Sequence, residues 1–143
     1  MNFRYMHVHR PDGTLKKAPF ITVKARSKDG RRIEVDGLID SGADNTVVPL
    51  DLAQFIGLSI SGEQFNTKGI GGSVPVVSSK LSLVVEKGHE SHVIDLPAII
   101  MTTADDDVPL ILGRNGFFEH FHITFKQDSE RITLKKIEPR TAF

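Results

Sequence analysis

Three features of this chain predict a mostly-β, barrel-like fold with one or two short helices. Apolar and polar residues alternate over many short segments, the period of half-buried strands. Turn-forming residues separate those segments, and helical spacing is confined to two short stretches. No repeat or internal linker interrupts the pattern, and 143 residues suffice for one domain with its own core.

Residues 1–18 place His, Arg and Lys around a Pro11-Asp12-Gly13 turn with few apolar positions. They read as a loosely held N-terminal arm on a domain spanning 19–143. Ile21, Val23 and Ala25 alternate with Thr22, Lys24 and Arg26, a half-buried strand. Lys28-Asp29-Gly30-Arg31 then turns the chain, and Ile33 and Val35 resume the alternation on the return strand. Leu50 to Ile56 fits one or two helical turns, stopped by Gly57 as a C-cap. Val74–Val85 and Val93–Met101 read as two longer strands around a polar Lys87-Gly88-His89-Glu90 turn. After Gly113, Phe117, Phe118 and Phe121 fall on one apolar helical face. A last hairpin follows, with Ile123 and Phe125 on one arm and Ile132 and Leu134 on the other.

Composition narrows the function classes. Eighteen basic residues balance eighteen acidic ones, so no bulk charge draws the chain to nucleic acid or to a membrane surface. The absence of cysteine excludes disulfides, thiol catalysis and thiolate metal sites. No apolar run reaches the length of a bilayer span, and the first residues lack the apolar core of a signal peptide. The expected location is therefore cytoplasmic.

Three segments carry the candidate chemistry. Ile39-Asp40-Ser41-Gly42-Ala43-Asp44-Asn45-Thr46 sets a carboxylate between an apolar strand and a turn of small residues. That context holds an acid at a strand end while a substrate backbone approaches closely. Asp-Ser-Gly is also common turn chemistry, so a turn-capping Asp40 is the competing reading. Lys68-Gly69-Ile70-Gly71-Gly72-Ser73 suits a mobile hairpin tip, or else an ordinary glycine turn. It lacks the Gly-Lys-Ser/Thr order of a phosphate-binding loop. Leu110-Ile111-Leu112-Gly113-Arg114-Asn115-Gly116 is an apolar strand running into a glycine and an arginine.

In this order, across about residues 20–136, these segments resemble the retropepsin-like aspartic proteases. The resemblance implies a closed barrel acting as a twofold homodimer, with Asp40 as the catalytic aspartate. Ser41, Gly42 and Ala43 would support the catalytic loop, Ser41 by locking two loops together across the dimer and Gly42 by offering its carbonyl to substrate. Asp44 and Arg114 would form an ion pair, expected to be partly buried because both lie in apolar segments. Gly69, Ile70, Gly71 and Gly72 would form a flap over an extended peptide substrate. The hairpin from His122 to Lys136 is similar to that of cellular retropepsins, where it would supply strands to the dimer sheet. A monomer hairpin closing its own barrel is the alternative.

The chemistry itself demands a partner. Hydrolysis of a peptide by water needs one carboxylate and one carboxylic acid, which two adjacent aspartates supply by sharing a proton. This chain has a single Asp-Ser-Gly motif, so the second Asp40 comes from another copy. Ala43 cannot donate a hydroxyl to the carboxylate, which predicts a mildly and not a strongly acidic optimum. The apolar side chains of Ala43, Val47, Ile70 and Ile111 favour apolar residues around the cut. Neither metal nor organic cofactor is required. Asp105-Asp106-Asp107 lacks calcium-loop spacing, and the His7/His9 and His120/His122 pairs have no third ligand nearby. Two other readings remain open: a non-catalytic peptide-binding barrel, or a latent enzyme occluded by its arm.

Overall fold

A computed structural model describes residues 1–69 and 72–139. Among the described residues, twelve strands and two helices follow one another as β1 (Asn2–Arg4), β2 (Met6–His9), β3 (Leu15–Ala18), β4 (Phe20–Arg26), β5 (Arg32–Ile39), β6 (Thr46–Val48), α1 (Leu50–Ile56), β7 (Gln64–Gly69), β8 (Gly72–Lys87), β9 (Glu90–Met101), β10 (Leu110–Leu112), α2 (Phe117–His120), β11 (Phe121–Lys126) and β12 (Arg131–Lys136).

Seven strands form one sheet in the order β4-β5-β10-β6-β9-β8-β7. Pairing of Lys24 and Ala25 with Val84 and Leu83 joins β4 to β8 and closes six of them into a barrel. Strand β7 hangs outside the ring as the second arm of the β7–β8 hairpin. Closure leaves the barrel no long open edge, which is how all-β folds avoid unwanted pairing. Inside, the alternation read from the sequence takes effect. Ile21, Val23 and Ala25 are buried, and Leu81, Leu83, Ile94, Leu96 and Ile100 meet them from the long β8–β9 hairpin. Each of the Val, Leu and Ile side chains among them contributes about 2 kcal/mol by leaving water.

Helix α1 ends where expected. Gly57 adopts φ 81°, its N–H reaches Gln54 O at 3.2 Å, and Leu58 N–H reaches Ala53 O at 2.9 Å. This is a Schellman closure, which favours glycine. Helix α2 is shorter than the aromatic spacing suggests. It stops at His120, and Phe121 opens β11 instead, its ring 5.3 Å from that of Phe117. Both rings are buried.

The expectation of a loosely held arm over residues 1–18 is corrected. Strand β1 pairs with β12 through Asn2↔Thr133, Phe3↔Ile132 and Arg4↔Arg131, and Phe3 and Tyr5 are buried. Two aromatic anchors and a short strand ladder hold this segment. Residues 6–18 form the separate β2–β3 hairpin around the Pro11–Gly13 turn. The C-terminal hairpin does not close the barrel: β11 and β12 join β1 in a three-stranded sheet of order β1-β12-β11.

Candidate functional site

The site is built where a late strand enters between two early ones. Strand β10 runs parallel to β5 (Leu110↔Gly37, Ile111↔Leu38, Leu112↔Ile39) and antiparallel to β6 (Ile111↔Val47). The segment that leaves β5 and returns as β6 therefore has to loop around the end of β10. That loop is Asp40–Asn45. Gly37 makes the entry possible, since a Cβ there would meet the Leu112 side chain at 3.0 Å.

Asp40 is pinned from both sides. Its N–H donates to Leu112 O at 3.1 Å, and its carbonyl accepts from Ala43 N–H at 3.2 Å. Its Oδ1 accepts the Gly42 N–H at 2.9 Å, and a Cβ on Gly42 would lie 3.2 Å from that oxygen. The carboxyl is half-exposed, while Ser41 and Gly42 are exposed at the turn. The result is an acid held in one orientation, open to solvent on one side and bonded by a backbone donor on the other. The Ser41 side chain makes no hydrogen bond among the described residues. Ala43 is half-buried and gives its carbonyl to Arg114 N–H at 2.9 Å.

The second half of the loop is stitched to the segment after β10. Asn115 N–H donates to Asp44 O at 2.7 Å, and Asn115 Nδ2 reaches Asn45 Oδ1 at 3.2 Å. Asp44 Oδ1 and Arg114 Nη2 are in direct contact. The expectation that this pair is partly buried is corrected, because the side chains are 70% and 56% exposed. Apolar neighbours in sequence did not bury them: both sit on the loop side of the strand ends, facing out of the barrel. In a single chain such a pair adds little stability.

Two contributions were not visible in the sequence reading. Gly113 passes so close to the Asp40 loop that a Cβ would overlap the Asn45 carbonyl oxygen and lie 2.9 Å from that of Ala43. The Asn45–Asn115 pairing is the other. A glycine ending an apolar strand marks such a close approach in general, without naming its neighbour.

Gly69 and Gly72 face each other at the end of the β7–β8 ladder, with Gly72 at φ 107°. Ile70 and Gly71 lie outside the described residues. Among the described residues, no three His, Asp or Glu side chains are grouped to hold a metal ion. The Asp105–Asp107 run lies in an exposed loop, where Asp105 Oδ1 accepts the Asp107 N–H at 3.0 Å.

Comparison with known proteins places the fold. A family profile described as aspartyl protease matches residues 23–115. No curated protein matches the chain. Among solved structures, a retropepsin-like aspartic protease from Rickettsia conorii is similar over 94% of this chain and 90% of its own, with a TM-score of 0.59 and 14% identity. The EIAV protease, solved with the inhibitor HBY-793, is similar over 69% of this chain and 84% of its own, with a TM-score of 0.51 and 22% identity. At these identities the likeness concerns the fold, a retropepsin-like closed barrel.

Proposed function

The chain belongs to the aspartyl protease family, and from that premise we propose that it is an aspartic endopeptidase whose site forms between the Asp40 carboxyls of two subunits. The observation that carries this reading is the half-exposed Asp40, oriented by the Gly42 N–H at the end of β10. A surface turn would need none of that scaffolding.

The reaction follows from carboxylate chemistry. One Asp40 is ionised and takes a proton from water as the water oxygen bonds to the scissile carbonyl carbon. The other Asp40 is protonated and donates to the carbonyl oxygen, giving a tetrahedral diol. The first carboxyl then returns its proton to the amide nitrogen as the C–N bond breaks, and the second recovers its own as the carbonyl reforms. Two carboxyls at close range share one proton because both do not ionise together.

A single Asp-Ser-Gly motif requires a homodimer for this. The free edges of β1 and β11 support one, since each offers unpaired backbone groups to a second copy. Ser41, exposed and unbonded in one chain, would find its partner across the twofold axis. The β7–β8 hairpin would act as the flap, with Gly69, Ile70, Gly71 and Gly72 at its tip, closing over an extended peptide that pairs as an added strand.

The test is digestion of a diverse peptide mixture by wild type and by Asp40→Asn at mildly acidic pH, with the oligomeric state measured on the same samples. Cuts made by the wild type and reduced at least about a hundredfold in the variant would support the reading. A dimer of wild type that cuts nothing would overturn it in favour of a peptide-binding barrel.

A further inference from the structure

The outer face of the β1-β12-β11 sheet carries a row of cations with no acid among the outward side chains of its described strands. In register, Arg4 lies directly opposite Arg131, and Arg131 lies directly opposite Lys126. Three positive side chains thus stand side by side on adjacent strands, about 4.8 Å apart at the backbone. Lys135 adds a fourth, four residues beyond Arg131 along β12 on the same face. All four are exposed, and none reaches a carboxylate within ion-pairing distance among the described residues. The remaining outward positions, Asn2, His122, Thr124 and Thr133, include no acid. Of the two acids in the connecting turn, Glu130 is drawn to Lys17 at 3.6 Å, and Asp128 pairs with none of the four cations.

Like charges directly opposite on neighbouring strands oppose pairing. A chain of zero net charge that concentrates four cations on one sheet face has thus assembled an anion-seeking surface from segments far apart in sequence. Two depressions border the Arg4–Arg131 pair. One, about 540 Å³, lies towards β4 and includes Lys24 and Lys87 with Glu34 and Glu86; the other, about 400 Å³, includes His7 and Lys17 with Glu130.

We propose that this face is a docking surface for an acidic polypeptide segment. Guanidinium groups in a row match carboxylates, which they bind through paired N–H donors. The face carries no Phe, Tyr or Trp and a single imidazole, His122, so it offers no extended stacking platform for bases, and it has no apolar side chain to enter a bilayer. Edge pairing between two copies would leave it open, because a sheet face stands perpendicular to its edges. The inference does not depend on Asp40 acting in catalysis.

The experiment uses the full chain carrying Asp40→Asn, so that no probe is cut. A fluorescent peptide alternating Glu and Ser is titrated and followed by anisotropy at low and high salt. Binding that weakens with salt is expected. Arg4→Gln with Arg131→Gln should weaken it about tenfold or more, Lys126→Glu should do so independently, and Lys80→Gln on β8 should leave it unchanged. Because the pair repels itself, the double variant should melt no lower than its parent. Absence of binding at low salt, or an equal loss with Lys80→Gln, would overturn the proposal. So would tighter binding of a single-stranded oligonucleotide or of phosphatidylserine vesicles through the same arginines, which would assign the face to phosphate.

Discussion

The backbone of Gly113 runs against the carbonyl of Asn45 with no room for a side chain between them. That contact joins the strand that splits the sheet to the loop that carries Asp40, so the position of the acid depends on a missing methyl group. Gly113→Ala should destabilise the fold by about 3 kcal/mol, since the obstacle is backbone on both sides and has no rotamer to change. Chemical denaturation would measure it. A loss below about 1 kcal/mol would show that the loop yields easily and that Gly113 does not position the acid.

The Asp44–Arg114 pair leads to the opposite expectation. Exposed as it is in one chain, Arg114→Ala should change stability by no more than about 1 kcal/mol at high dilution, where only monomer is present. The backbone bonds from Arg114 and Asn115 to Ala43 and Asp44 survive the substitution. If the same variant shifts the concentration dependence of melting, the pair acts between subunits. A large loss in the dilute monomer would contradict the small value expected here.

What the sequence disclosed follows the range of each interaction. Gly57, the β8–β9 turn at Gly88 and the alternation of β4 are local, and they were legible from neighbouring residues. The Asp40 segment was legible because its motif is contiguous. Strand β1 was not, since its signal is one Phe3 among polar residues and its reason to exist is β12, more than a hundred residues away. Strand β7 has almost no buried residue to give it a period. The exposure of Asp44 was misread for a related cause: apolar flanks describe the strand a residue leaves, not the side on which its loop emerges.

Acid should weaken this protein modestly through identifiable carboxyls. The Lys24 ammonium bonds Glu86 across the barrel seam at 2.6 Å and holds that carboxyl below its ordinary 4.5. The Ser27 hydroxyl does the same for Asp29, which lies below 3.8. Such groups bind protons less readily folded than unfolded. Their stabilisation is complete above the unfolded values and is lost as pH falls through the folded ones. The melting temperature should therefore be level above about pH 5 and decline below about pH 4. Lys24→Met should make that decline shallower. An acid limb unchanged by the substitution would remove Glu86 from the account.

Gly72 tests the hairpin separately from the barrel. Its φ of 107° is rarely adopted by other residues, yet no atom would obstruct a Cβ there. Gly72→Ala therefore strains one turn and leaves the core alone. On the flap reading, kcat/KM should fall about tenfold, equivalent to a strain of 1–3 kcal/mol expressed in closure, with little change in melting. Unaltered cleavage would separate the hairpin from substrate binding.

Thr46 bears on whether the whole Asp40–Thr46 motif is functional or partly inherited packing. It is fully buried, and its Oγ1 has no hydrogen-bond partner among the described residues. A buried hydroxyl without a partner costs stability, whereas valine fills nearly the same shape without it. Thr46→Val should accordingly raise stability by about 1 kcal/mol, measured by denaturation. Cleavage should persist, because Asp40 is oriented by Leu112 and Gly42, neither of which hydrogen-bonds this hydroxyl. A loss of stability would instead mean that the hydroxyl is satisfied by a bound water, and a loss of cleavage in a stable variant would extend the working motif to its last residue.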